Sequence, residues 1–419
     1  MAITDERTSI WLDCDTGHDD AFAILLAAYN AKANLLGVST VHGNASVEHT
    51  THNSLAVLEA IGATHVPVIK GRERPLRRDP SFAPDIHGES GLDGVTLLPS
   101  KPSASPLSES LTDVVNTILD EPPNTVHIVA TGPLTNIAIL FSWSAELAMH
   151  IAGLHIMGGA VGGGFTDAPM GKVEGQGERF GNWSPWAEFN IYADPEAART
   201  VFNNKRLADK TTLIPLDLTH LVRGTSKVQQ QLFGGNKMFE QSDRKRNLSS
   251  VRSLFQEVLN FFASTYKAQF GIEDGPPLHD PLAVWSALQP RKFEDRHAER
   301  WEVEIVIQPG PYDLERNSQN HVGQTKIKPS RTGSGVRIPR SLDLDTFWLT
   351  IDEALRAAES MVGVNGQPVS GSGLSTPSTM SPKPASATDD EEREKRKASL
   401  NAWRNSRRER LENGEMPAI

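Results

Sequence analysis

This chain carries a single cysteine, Cys14. One thiol excludes an intramolecular disulfide and any zinc site built on cysteines, and it suits a reducing compartment. The sequence also lacks an apolar run of about 18 residues, so no membrane-spanning helix is expected. Its opening, MAITDERTS, has no apolar signal region, which points to a cytoplasmic protein, with a nuclear location also open. Positive charge is not in excess. The net charge of −10 argues against a general nucleic-acid-binding surface. Neither an internal repeat nor a G-x-S-x-G nucleophile elbow is present. The glycine-rich stretch 164–172 misses the spacing of a phosphate loop, and Val173 stands where that loop needs a hydroxyl.

What the chain has instead is acid, concentrated. Asp13, Asp15, Asp19 and Asp20 fall within the string SIWLDCDTGHDDAFAILLAAY. Carboxylates this close repel one another unless a cation or a network of ligand hydroxyls lies between them. Residues 9–12 read as a short buried strand and 20–29 as an apolar helix, so Asp19 and Asp20 sit in a first helical turn, where acids suit the dipole. The carboxyl end of a strand beside a helix N-terminus is where open α/β sheets place ligands. An EF-hand loop is excluded, because counting from Asp13 its sixth and twelfth positions are His18 and Ile24. A D-x-D phosphatase with Asp13 as nucleophile and Mg²⁺ remains a rival at this point.

Strands are expected over 9–12, 35–41, 66–69, 126–130, 154–157, 213–216 and 303–307. Helices are expected over 20–29, 50–60, 111–119, 134–141, 195–203, 250–270 and 345–359. This alternation predicts an open, mostly parallel central sheet with helices on both faces, a Rossmann-like α/β core. One domain is expected over 1–362, a Ser/Pro/Gly-rich linker over 363–388 and a charged tail, disordered or a solitary helix, over 389–419. Two insertions, 158–184 and 309–340, are expected to be long loops.

Further polar strings follow the strands: His42, Gly43 and Asn44; Thr131 and Gly132; Met157 and two glycines; Glu188 to Asn190 with Asn182 just before; His279 and Asp280; and HGESG from His87. The inventory is rich in oxygen and has no zinc-like spacing, which favours a hard cation, Ca²⁺ or Mg²⁺. Asn and Glu pair well with sugar hydroxyls, and loop histidines can protonate a leaving group.

On these residues the chain resembles the nucleoside hydrolases of the inosine–uridine-preferring type. The matching strings are DCDTGHDDAFAILLA, VHGN, HGESG, ATGPLTNIA, IMGGA, AEFNIYADPEAA, LDLTH and HDP, in family order. The insertions and tail are similar to those of fungal, uridine-type members. The resemblance implies calcium-dependent hydrolysis of a ribonucleoside to ribose and free base. It implies a Ca²⁺ site made by Asp15, Asp20, Asp280 and the Thr131 carbonyl, with Asp15 also the general base. Asp19, Asn44, Asn182, Glu188 and Asn190 would hold ribose, and Met157 would line its pocket. His87, His279 and Tyr266 would face the base, with His279 a candidate acid, and Asp13 would brace the loop. Phe262, Tyr266 and Gln269 on the helix before His279 lean the expectation to uridine, with inosine possible. A homo-oligomer, dimer or tetramer, is implied too. A catalytically silent nucleoside-binding protein of the same fold is the remaining alternative.

Overall fold

The computed structural model describes residues 7–170, 172–173, 177–178, 180–234, 249–296, 298–308 and 321–362. The linker and tail expected after residue 362 lie outside the described residues. Six strands form the central sheet: β1 (Thr8–Cys14), β2 (Ala33–Thr40), β3 (Val68–Lys70), β4 (Val126–Ala130), β5 (Gly153–Met157) and β6 (Thr211–Ile214). Their spatial order is β3-β2-β1-β4-β5-β6, and every pairing is parallel.

Strand β1 is buried on both faces beyond Thr8, and its side chains alternate between them. Ile10, Leu12 and Cys14 join one apolar cluster, whereas Trp11 joins the other. The first cluster is closed by α1 (His18–Tyr29), α2 (Val47–Ala60), α3 (Ser250–Phe270), α4 (Asp280–Leu288) and α5 (Leu344–Val362). Helices Leu111–Asp120, Thr135–Trp143 and Pro195–Phe202 close the second. Helix α1 is buried along nearly its whole length, which is why its sequence is apolar all round after the two acids. Among the described residues no helix is long and apolar enough to cross a membrane.

The fold class is the expected one, but three elements differ from their sequence reading. The strand expected over 213–216 ends at Ile214, because Pro215 cannot continue a ladder and Leu216–Thr219 turns as a short helix. The strand expected over 303–307 runs Trp301–Ile305 and lies outside the central sheet. It pairs antiparallel with Thr325–Pro329, inside the insertion expected to be loop. Its pattern explains this: Trp301, Val303 and Ile305 are buried, while Glu302 and Glu304 face out opposite Lys328 and Lys326. Within the other insertion, a two-residue hairpin pairs Lys172–Val173 with Gly177–Glu178.

The strand order reverses beside β1, with β2 on one side and β4 on the other. That switch point opens a crevice at the carboxyl ends of β1 and β4, from which Asp15 and Thr131 emerge.

Candidate active site

The turn from β1 into α1 gathers the acids. Asp19, Asp20 and Asp280 each present a carboxylate oxygen, all within 4.8 Å of one another, and all three side chains are buried. Asp280 arrives from the first turn of α4, 260 residues along the chain from Asp20. Asp15 belongs to the same electrostatic group. Its carboxyl is pushed well above the ordinary range by burial and then by Asp20 and Asp19. Burial lifts Asp19 to about 7, with the Asp20 charge adding to it. Burial, then Asp19, Asp20 and Asp15, push Asp280 well up as well. Asp20 rises through burial, restrained by its hydrogen bonds.

The neighbours fix Asp20, Asp15 and Asp13. Asp20 accepts from the Gly17 N–H at 2.8 Å, the Thr131 hydroxyl at 2.8 Å and the Asn44 amide at 3.2 Å. Asp15 Oδ2 accepts from the Asn44 N–H at 2.7 Å, while Oδ1 is buried with no partner. A Cβ on Gly43 would run into that same carboxylate, so only glycine lets the chain after β2 come this close. Asp13 lies behind the cluster. It accepts from Ser39 and, at 2.8 Å, from Asn136, and burial lifts it to about 7. Its Oδ1 is thus taken up by Ser39 and Asn136, which suits a bracing role better than that of a nucleophile.

On the far side of the crevice, the Asn190 amide donates to the Thr131 carbonyl at 2.8 Å and also reaches the Met157 carbonyl and sulfur, each at 3.4 Å. Glu188 caps the short helix Phe189–Ala193: its oxygens accept from the N–H groups of Asn190 and Ile191, and also from that of Gly159. Asn182 accepts from the Phe189 N–H at 2.9 Å and its side chain hydrogen-bonds Tyr266.

Histidines and aromatics make the remaining wall. His87 ends a short helix, Pro84–His87, rather than lying in open loop. His279 Nε2 is 2.7 Å from the Tyr266 hydroxyl and its Nδ1 is 2.7 Å from the Thr219 hydroxyl. Phe262 packs edge-on to Tyr266 and to His279. Gln269 lies one turn further along α3 on an exposed face. Residues missed in the sequence reading also enter here: Ser39, Asn136, Thr219, His220 and Phe261. Thr219 and His220 had a signal in the string LDLTH; Ser39 and Asn136 read as ordinary strand and helix residues.

The donor set is one of hard oxygens: three mutually close buried carboxylates, with Asp15 adding an oxygen that has no protein partner. Such a set fits a metal ion of the oxygen-liganded kind, since like charges otherwise crowd one another at a cost. A carboxylate-lined crevice at the switch point of a parallel sheet, flanked by amides and histidines, has the groups to hold a cation and a hydroxylated ligand.

Residues 10–349 match the family model of the inosine-uridine preferring nucleoside hydrolases. Saccharomyces cerevisiae uridine nucleosidase is 35% identical over 86% of this chain and 99% of its own length. A pyrimidine-specific ribonucleoside hydrolase, RihA of Citrobacter koseri, is 36% identical over 77% of this chain and 91% of its own. Among solved structures, a plant nucleoside hydrolase superposes with a TM-score of 0.66 at 25% identity, covering 83% of this chain and 98% of that one. The chain belongs to the inosine-uridine preferring nucleoside hydrolase family and is a hydrolase acting on N-glycosyl compounds. The phosphatase and silent-binder alternatives give way to that membership.

Proposed function

We propose that this enzyme hydrolyses pyrimidine ribonucleosides, uridine foremost, with inosine a poorer substrate, and that its metal is calcium. The observation that carries the reading is Asp15, held through one oxygen by the Asn44 N–H while the other is free among buried acids. The names of the yeast and bacterial relatives support the pyrimidine preference.

Asp15, Asp20, Asp280 and the Thr131 carbonyl would hold the ion, with Asp19 close enough to share in it. When bound, Ca²⁺ supplies positive charge that orients a water and the ribose 2′- and 3′-hydroxyls. Asp15 Oδ1 takes the proton from the attacking water, for which it needs a free lone pair. Asp19, Asn44, Asn182, Glu188 and Asn190 bind the ribose hydroxyls, and Met157 packs beneath the ring. Glycosidic cleavage passes through an oxocarbenium-like sugar, and the carboxylates around the ring stabilise that charge.

At the leaving base, both nitrogens of His279 are already engaged, by Tyr266 and Thr219. For His279 to act as the acid it must first be protonated on both nitrogens; its Nε2 proton then passes to the Tyr266 oxygen as the Tyr266 hydroxyl gives its own proton to the base, and His87 is the second histidine turned to the base. We place the enzyme in the cytoplasm as a homo-oligomer, dimer or tetramer, of which sedimentation measures the size. A panel of uridine, cytidine, inosine, adenosine and 2′-deoxyuridine tests the assignment. Uridine should turn over fastest, and deoxyuridine poorly. Equal rates for uridine and its deoxy form would overturn the ribose-reading role of the site.

A further inference from the structure

We infer that His18 is a positioning residue for the departure of the nucleobase, because it holds the ring of His87. His18 is the residue just before the paired acids, so the turn that fixes the carboxylates also fixes this ring. Three contacts define its task. Its backbone N–H donates to His87 Nδ1 at 3.2 Å. Its own Nδ1, an acceptor in the neutral ring, lies 3.2 Å from that same atom and takes its proton in the tautomer where His87 carries one there, while the backbone N–H donates in the other tautomer. Its Nε2 lies 3.0 Å from the Asp93 carbonyl and donates to it, since a carbonyl can only accept.

The His18 ring is itself clamped. It stacks on Phe261 with centroids 4.7 Å apart and planes within 6°, and it lies parallel to Phe262 at 5.9 Å. Phe262 in turn packs against His87 at 5.5 Å. Gly17 leaves room for this arrangement: a Cβ there would stand 2.5 Å from His87 Nδ1. Asp93 shapes the other support. Its carboxylate accepts from the Glu89 and Ser90 N–H groups and its N–H donates to the His87 carbonyl, which closes the 88–93 turn under His18.

With Nδ1 of His87 taken up by His18, Nε2 is the ring nitrogen left to meet a substrate. His18 thus couples the acid end of the crevice to the base end without touching either ligand. Misplacing a group of this kind by about 1 Å costs about 100-fold in rate. This inference rests on the reading that His87 faces the nucleobase, and the experiment separates the two.

The test uses two substrates on the calcium-loaded enzyme. Uridine needs help at its leaving base, whereas 4-nitrophenyl β-ribofuranoside releases a phenolate that needs no proton. His18→Phe keeps the stack on Phe261 and the backbone N–H to His87 but deletes both ring nitrogens, and with them the anchor on the Asp93 carbonyl. Its kcat on uridine should fall about 100-fold, while the nitrophenyl riboside stays within about threefold. His18→Asn restores a polar atom near the Nδ1 position and should recover part of the uridine rate. His87→Ala should match the His18→Phe loss, and the double variant should add little to either. If His87→Ala loses uridine turnover and His18→Phe does not, His18 has no positioning role although His87 keeps its place. If His87→Ala itself leaves uridine turnover intact, the base-facing reading of His87 fails, and this inference with it. Equal losses on both substrates would mark His18 as merely structural and overturn the inference.

Discussion

The two ends of the crevice are made of opposite materials. At one end, Asp15 and Asp20 are held by backbone N–H groups, a threonine hydroxyl and an amide, all from short turns at strand ends, with Asp19 and Asp280 buried beside them. At the other, His18, His87, His279, Phe261, Phe262 and Tyr266 are held mainly by ring packing and by one another. The acid end is charge waiting for charge. The aromatic end is an apolar wall in which each histidine is pushed toward its neutral form by burial. A ribose and a nucleobase differ in the same way, one a ring of hydroxyls and the other a flat, partly apolar surface. Substitutions at the acid end should therefore act on every ribonucleoside alike, whereas those at the aromatic end should act according to the base.

The largest effect expected to probe this contrast is Asp15→Asn. It should lower kcat by about 10³- to 10⁴-fold on uridine and inosine equally, with a near-normal thermal midpoint. Steady-state kinetics on both substrates checks it, and near-normal turnover would remove Asp15 as the base. Next comes Tyr266→Phe, which cuts the link between His279 and the base. A loss of about 10- to 100-fold on uridine is expected, with much less on 4-nitrophenyl β-ribofuranoside. A uniform loss on both would move Tyr266 from the leaving group to the scaffold.

The smallest effect concerns the scaffold beneath both ends. His42 hydrogen-bonds Thr135, which donates to Asp194, and its other nitrogen is buried without a partner. Burial lowers His42 and His220 from 6.5 to about 4. The unfolded chain therefore takes up protons at higher pH than the folded one. The stability these neutral rings contribute is full above pH 6.5 and is lost as the pH falls toward 4, by about 1.4 kcal/mol per pH unit for each ring. Denaturant melts of His42→Gln over that range, with calcium saturating, should show a shallower slope than the parent. An identical slope would mean that His42 is not held neutral.

The two ends also differed in how far the sequence disclosed them. The acid end was legible because Asp15, Asp19 and Asp20 sit in one short motif whose strand–turn–helix context is local. Asn44 and Thr131 follow strands that were visible as apolar runs, and the parallel sheet followed from their alternation with helices. The aromatic end was less legible. Phe261, Phe262 and Tyr266 sit on α3, some 240 residues from His18, and only the packed fold brings that helix onto α1. In the sequence His18 stands out only as the position where an EF-hand loop would need glycine. The antiparallel hairpin of Trp301–Ile305 with Thr325–Pro329 escaped notice for a related reason. Its second strand is polar on its outer face, and its partner is separated from it by a long connection.

The central claim is that the buried acids form a cation site on which ribonucleoside cleavage depends. Its most direct test is ribose release from uridine by enzyme stripped of metal, with metal content measured, and then resupplied with Ca²⁺. Turnover should vanish on stripping and return with calcium, and the thermal midpoint should rise with it. Undiminished release of ribose from protein shown to be free of metal would contradict the account.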